Sequence, residues 1–233
     1  MVIIVAFATN GATKKMDFID ILQKMTIVLT EKGEAMSKLI FYEADHSYEV
    51  DGVKLPSVSE ILRFMSREIY SNATQFQLDH AADRGTRVHR ACENIDRYGS
   101  CEADNEIEPY VMAYIQFLKD KKPKWSLIET SMCDLDWGYA GTIDRYGVID
   151  ARRVIVDIKT NSSLKIPLVT AQLNGYKNLA EKDEHQVDAV ASLHLKKDGT
   201  YSYKERPKDD VTFEACLLLH KALKPKGEYN GTN

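Results

Sequence analysis

What this 233-residue chain lacks narrows it first. No apolar run approaches the roughly 18 residues that a membrane-spanning helix needs. The opening run, Val2 to Ala8, is far shorter, and no basic residue follows Met1 before it. No membrane association is expected. The four cysteines, Cys92, Cys101, Cys133 and Cys216, form no C-x-x-C pair. That removes a zinc ribbon and suits reduced thiols in a cytoplasm better than a disulfide framework. There is no surplus of positive charge: 31 Lys and Arg stand against 35 Asp and Glu, a formal net charge of −4. A histone-like protein that holds nucleic acid by bulk charge is excluded, so any DNA contact must come from a local patch or through cations held by carboxylates. Internal repeats and low-complexity stretches are also missing.

What is present is an ordinary globular balance, 44% hydrophobic and 28% charged residues, in a chain long enough to bury a core of its own. Residues 1–35 differ in character from the rest of the chain and are expected to be an extension. Residues 36–233 are expected to form a single domain. Leu39 to Tyr42 and Ser47 to Val50 read as short strands, and Asp51-Gly52 as a hairpin turn. Ser57 followed by Glu60 fits a capping box that opens a helix. Apolar residues recur at helical spacing from Thr74 to Tyr98 (Leu78, Ala81, Ala82, Gly85, Val88, Cys92, Ile95), with His89 at the margin of that face. A further helix spans about Glu108 to Lys121. Strands come next at Trp125–Cys133, Trp137–Tyr146 and Val154–Thr160, then a helix from Pro167 to Glu181. A strand from Gln186 to Leu195, its partner Tyr201–Lys204 and a final helix to Leu223 complete the pattern. Strands with flanking helices give an α/β or α+β sheet protein.

The chemistry concentrates at Val156-Asp157-Ile158-Lys159-Thr160. Side chains alternate along a strand, so Asp157 and Lys159 share one face and Val154, Val156 and Ile158 the apolar other. Asp144 ends the run Gly141-Thr142-Ile143-Asp144, and a hairpin through residues 145–153 would set it beside Asp157. Two carboxylates so close repel unless a cation lies between them or one is protonated. Oxygen-rich clusters of this kind suit Mg²⁺ or Mn²⁺. Lys159 could hold a water or balance charge on a phosphate oxygen, and metal and lysine together supply what phosphodiester hydrolysis needs. His89 adds a candidate nitrogen ligand, with a packed or solvated histidine as the plain alternative. Gln172 and Tyr176, four apart, share one face of the following helix, where ordinary helix-edge polarity is the plain alternative. Glu129, on an earlier strand, either reaches the same site as a supporting group or faces solvent. Arg84, Arg87, Arg90 and Lys165 are candidates for phosphate contact, with a solvated helix face as the plain alternative. An exposed Asp-x-Lys pair by itself is common surface decoration; an aspartate ending an apolar strand is not. Glycoside hydrolysis by the two aspartates is disfavoured by the adjacent lysine and by the presence of only two tryptophans.

Taken in order, Arg84-Gly85-Thr86-Arg87-Val88-His89, Gly141-Thr142-Ile143-Asp144, Asp157-Ile158-Lys159-Thr160 and Gln172-Leu173-Asn174-Gly175-Tyr176 resemble the RecB-like branch of the PD-(D/E)XK nuclease superfamily over residues 38–205. The resemblance implies a restriction-endonuclease-like core, a central mixed sheet flanked by helices. It implies a Mg²⁺- or Mn²⁺-dependent deoxyribonuclease, an exonuclease of the phage type acting in recombination, repair or phage DNA processing. Asp144 and Asp157, His89 and the Ile158 carbonyl would bind the metal, Lys159 would position the attacking water, and Gln172 and Tyr176 would hold DNA or support the site. A bacterial cytoplasm, a single-strand annealing or recombination partner and a homo-oligomer belong to the same expectation. The rival is a DNA-binding or assembly subunit that keeps the fold and has little turnover. Some relatives carry an iron–sulfur cluster on one upstream and three downstream cysteines; only Cys216 lies beyond the site here, so no cluster is expected.

Overall fold

A computed structural model describes residues 3–6, 38–42, 46–72 and 74–223. Most of the expected N-terminal extension, residues 7–35, lies outside them. The elements, in order, are β1 (Ile3–Ala6), β2 (Leu39–Tyr42), β3 (Ser47–Val50), β4 (Val53–Leu55), α1 (Val58–Ile61), α2 (Arg63–Ile69), α3 (Gln75–Tyr98), β5 (Ser100–Ala103), α4 (Glu108–Lys121), β6 (Lys124–Asp134), β7 (Tyr139–Ile149), β8 (Arg152–Lys159), α5 (Ile166–Lys182), β9 (Ala189–Leu195), β10 (Tyr201–Arg206) and α6 (Asp210–Leu223).

Five strands form the central sheet in the order β10-β9-β8-β7-β6. β6, β7 and β8 are an antiparallel meander, β8 and β9 run parallel, and β10 returns antiparallel. The parallel step needs a crossover, and α5 supplies it. This is the mixed sheet flanked by helices that the family pattern implied. Alternation along β8 divides the core. Val154, Val156 and Ile158 pack with α3 and α4, whereas Ile155 packs with α1, α5 and α6. A small sheet, β2-β3-β4, closes on a satellite core of Leu39, Tyr48, Val50 and Leu55 against Ala140. Its β3–β4 turn is Asp51-Gly52, both at positive φ, the backbone a two-residue hairpin requires. β1 pairs with β5, so part of the N-terminal stretch is joined to the domain.

α3 starts on a full capping box, Thr74 with Gln77, and ends at Gly99 in the left-handed region. Its periodicity overstates its buried stripe. Val88, Ala91, Cys92 and Ile95 are buried, but Ala82 is exposed and Leu78 is 38% exposed. The first turns extend past the sheet, and spacing alone reports a helix face without reporting which turns meet a neighbour. Among the described residues no helix is long and apolar enough to cross a membrane.

Candidate metal centre

The site sits where β7 and β8 part. Their ladder ends at Arg145↔Val156, and the next rung is Asp144 opposite Asp157. There β8 continues in register with β9, and Asp144 Oδ2 takes the Ile158 amide at 2.7 Å. The side chain replaces a ladder bond, and the strands open around it. Asp144 and Asp157 are 7% and 1% exposed, so both carboxylates have left water.

α3 brings His89 from the other side. Its Nε2 lies 3.0 Å from the Ile158 carbonyl. With the proton placed on Nε2 the imidazole donates there, which leaves Nδ1 aimed at Glu129 Oε1 (3.5 Å) and Asp144 Oδ1 (3.6 Å). His89, Glu129 and Asp144 each offer a donor atom, all within 4.8 Å of one another. Lys159 Nζ lies 2.9 and 2.7 Å from the two oxygens of Asp157. Gln172 Nε2 donates to Tyr176 Oη at 2.9 Å. All seven side chains line one cleft of about 570 Å³.

Glu129 reaches the cluster by an unusual route. It lies inside β6, between the pairs Ile128↔Arg145 and Thr130↔Ile143, yet its φ is +44°. A left-handed residue interrupts the alternation of a strand and costs a non-glycine residue about 1–2 kcal/mol. Sequence reasoning could name Glu129 as a candidate but not rank it, because period two fails at this residue. Gly141 makes room on the neighbouring strand: a Cβ there would stand 3.0 Å from Tyr176 Cε1 and 3.0 Å from Val58 Cγ2. Only a bare backbone lets the α5 tyrosine lie flat on β7 beside the site.

The electrostatics show a deficit of positive charge. Burial pushes the Asp157 carboxyl up to about 6 against the pull of Lys159. Burial likewise raises Asp144, with Glu129 adding to the effect. His89 is pushed to about 9: burial favours the neutral ring, but the Asp144 and Glu129 carboxylates outweigh it. Burial lowers Lys159, and Asp157 and Asp144 more than restore it above its ordinary value, so the ammonium is kept. Asp157 Oδ2 is buried without a well-aligned donor, although the ammonium stands close by. Three carboxylates and one imidazole are a donor set that a divalent cation fits, and the Lys159 ammonium stands beside them.

The basic candidates separate. Arg90 lines the cleft. Arg87 is bound to Asp83, Asp104 and Glu106, and Arg84 lies over the Tyr110 ring and reaches the Thr160 carbonyl. Lys165 is the residue before α5. None of these three lines the cleft. The cleft also holds residues that spacing gave no reason to choose: Phe41, His46, Tyr48, Ser131 and Thr142.

With this geometry in place, comparison with solved structures finds a nuclease. The fold is similar to the alkaline exonuclease LHK-Exo from Laribacter hongkongensis, at 12% identity and a TM-score of 0.41, over 71% of this chain and 85% of that one. The same exonuclease in complex with dAMP matches at 15% identity and a TM-score of 0.37, over 72% of this chain and 86% of that one. No protein-family model matches the chain, and no curated protein matches it. Neither structural likeness transfers an activity or a site residue.

Proposed function

We propose that this chain is a Mg²⁺- or Mn²⁺-dependent deoxyribonuclease that hydrolyses phosphodiester bonds, acting as an exonuclease. The observation that carries the reading is the convergence of His89 Nδ1, Glu129 and Asp144 within 4.8 Å, beside a buried Asp157–Lys159 pair on the floor of an open cleft. His89, Glu129 and Asp144 would hold the cation, with Asp157 at the adjoining position. The bound ion supplies Lewis acidity toward phosphoryl oxygens and lowers the pKa of a nearby water. Lys159 keeps its proton and offers N–H donors toward a water or a developing negative oxygen. The Ile158 carbonyl orients the His89 ring, which selects the nitrogen that faces the carboxylates. Gln172 and Tyr176 form a neutral wall, and Arg90 and Arg97, which both line the cleft, would meet phosphates. A role in recombination, repair or phage DNA processing in a bacterial cytoplasm, with an annealing partner and self-association, accompanies this reading.

Purified protein should degrade linear DNA in Mg²⁺ or Mn²⁺, spare it in EDTA, and leave covalently closed circles intact. Cleavage of closed circles would replace exonuclease by endonuclease. Metal binding by calorimetry with no hydrolysis of any DNA would point instead to a DNA-binding subunit.

A further inference from the structure

The wall of the cleft contributed by the small sheet is chemically unlike its floor. β2 and β3 pair Phe41 with Tyr48, and their rings lie 4.9 Å apart by centroid. Phe41 also faces the His46 ring at 5.6 Å. Tyr48 is buried, and its hydroxyl lies 2.7 Å from Thr142 Oγ1, which lies 2.8 Å from Ser131 Oγ. Phe41 covers the satellite core with part of its surface and lines the cleft with the rest. A benzene ring neither ligates a metal nor pairs with phosphate, so the metal chemistry gives it no role. Its place is nonetheless close to the acids. Thr142 precedes Asp144 by one same-face step of β7, about 6.6 Å, and Tyr48 spans from Thr142 back to Phe41.

We propose that Phe41 and His46, backed by the buried Tyr48, form a nucleobase-stacking subsite that takes an unpaired base of the DNA strand whose phosphate lies at the acid cluster. This rests on the nuclease reading for the identity of the strand. Aromatic faces hold bases without regard to sequence, because every base presents a π-face. A base stacked on protein has left its neighbours in the duplex. A cleft of about 570 Å³ is the size of a small-ligand pocket, which suits one strand end and not an intact helix. The hydroxyl row fits beside it. Tyr48, Thr142 and Ser131 carry three O–H protons and form two bonds among themselves, so one proton is left to donate to sugar or phosphate oxygen.

The test uses the full chain and short single-stranded oligonucleotides carrying 2-aminopurine near one end, with Ca²⁺ as the divalent ion, so that binding is read without requiring turnover. Wild type should quench the fluorophore on binding. Phe41→Leu keeps apolar volume for the satellite core and loses the π-face; it should weaken binding by about tenfold and abolish the quench. Phe41→Trp should restore both. An oligonucleotide that is abasic at the sensitive position should bind wild type and Phe41→Leu equally. Equal binding and quenching by wild type and Phe41→Leu, or no quench at any position, would overturn the subsite. Failure of the wild type to cut any DNA in Mg²⁺ would overturn the nuclease reading separately, because the binding measurement stands without catalysis.

Discussion

Asp144 and Arg145 are neighbours on β7, and they stand in two charged clusters of opposite design. Arg145, 0% exposed, donates to Asp96 at 2.6 Å, to Glu129 at 2.9 Å and to its own neighbour's carbonyl, Asp144 O, at 2.6 Å. Tyr114 completes this group with a 2.5 Å bond to Asp96. Asp144 shares a cleft with Asp157, Lys159 and His89, open to solvent. Glu129 belongs to both. The sealed group sets one guanidinium between Asp96 and Glu129 and holds strands and helices together. The open group is left with carboxylates that its own lysine and histidine do not satisfy, which is a condition for recruiting a cation. Burial is common to the two; the separating feature is whether the partners are all protein.

That contrast can be broken from either side. The largest effect is expected in the open group: Asp157→Ala and Lys159→Ala should each abolish cleavage in Mg²⁺, and Asp144→Ala should also abolish binding of Mn²⁺ in a calorimetric titration. Full activity in Asp157→Ala or Lys159→Ala would remove the mechanism. In the sealed group, Arg145→Met leaves Asp96 and Glu129 buried without their cation and should cost about 3–5 kcal/mol in chemical denaturation, with Asp96→Asn on the same background restoring part of the loss. Glu129→Gln, at the shared position, should weaken metal binding about 10- to 100-fold with little change in unfolding midpoint. A stability loss as large as that of Arg145→Met would place Glu129 in the sealed group alone.

The smallest effect is a pH trend of the metal-free chain. Asp157 titrates near 6 in the folded chain and near 4 when unfolded. His89 titrates near 9 when folded and about 6.5 when unfolded. Both folded values are raised, so both groups bind protons more tightly when folded. Their contributions are complete at low pH and fade as pH rises, Asp157 from about 4 to 6 and His89 from about 6.5 to 9. Thermal unfolding in EDTA should therefore show the His89 contribution falling between pH 6.5 and 9; Mn²⁺ should flatten the trend, because the ion takes the place of the proton on the imidazole. An apo midpoint that climbs across this window would contradict the described geometry around His89.

The hairpin and its two aspartates were legible because period two and a short connection leave few ways to pair β7 with β8. The family pattern pointed to His89, and α3 delivers it. What was not legible has physical causes. Glu129 departs from alternation through a single backbone angle. Arg87, chosen for its place beside His89, is taken up by Asp104 and Glu106, partners that sequence reasoning does not bring to α3. The aromatic wall arises because β2 and β3 fold onto the edge of β7 through Ser57 and Ala140, a long-range placement with no local signature.

The left-handed backbone at Glu129 has an evolutionary corollary. Glycine would adopt that angle without strain, but it would also take from the buried Arg145 a carboxylate 2.9 Å away, a loss larger than the strain relieved. A laboratory library screened only for heat survival should therefore keep glutamate at this position. The awkward backbone is tolerated because the side chain it carries is moored to a buried guanidinium.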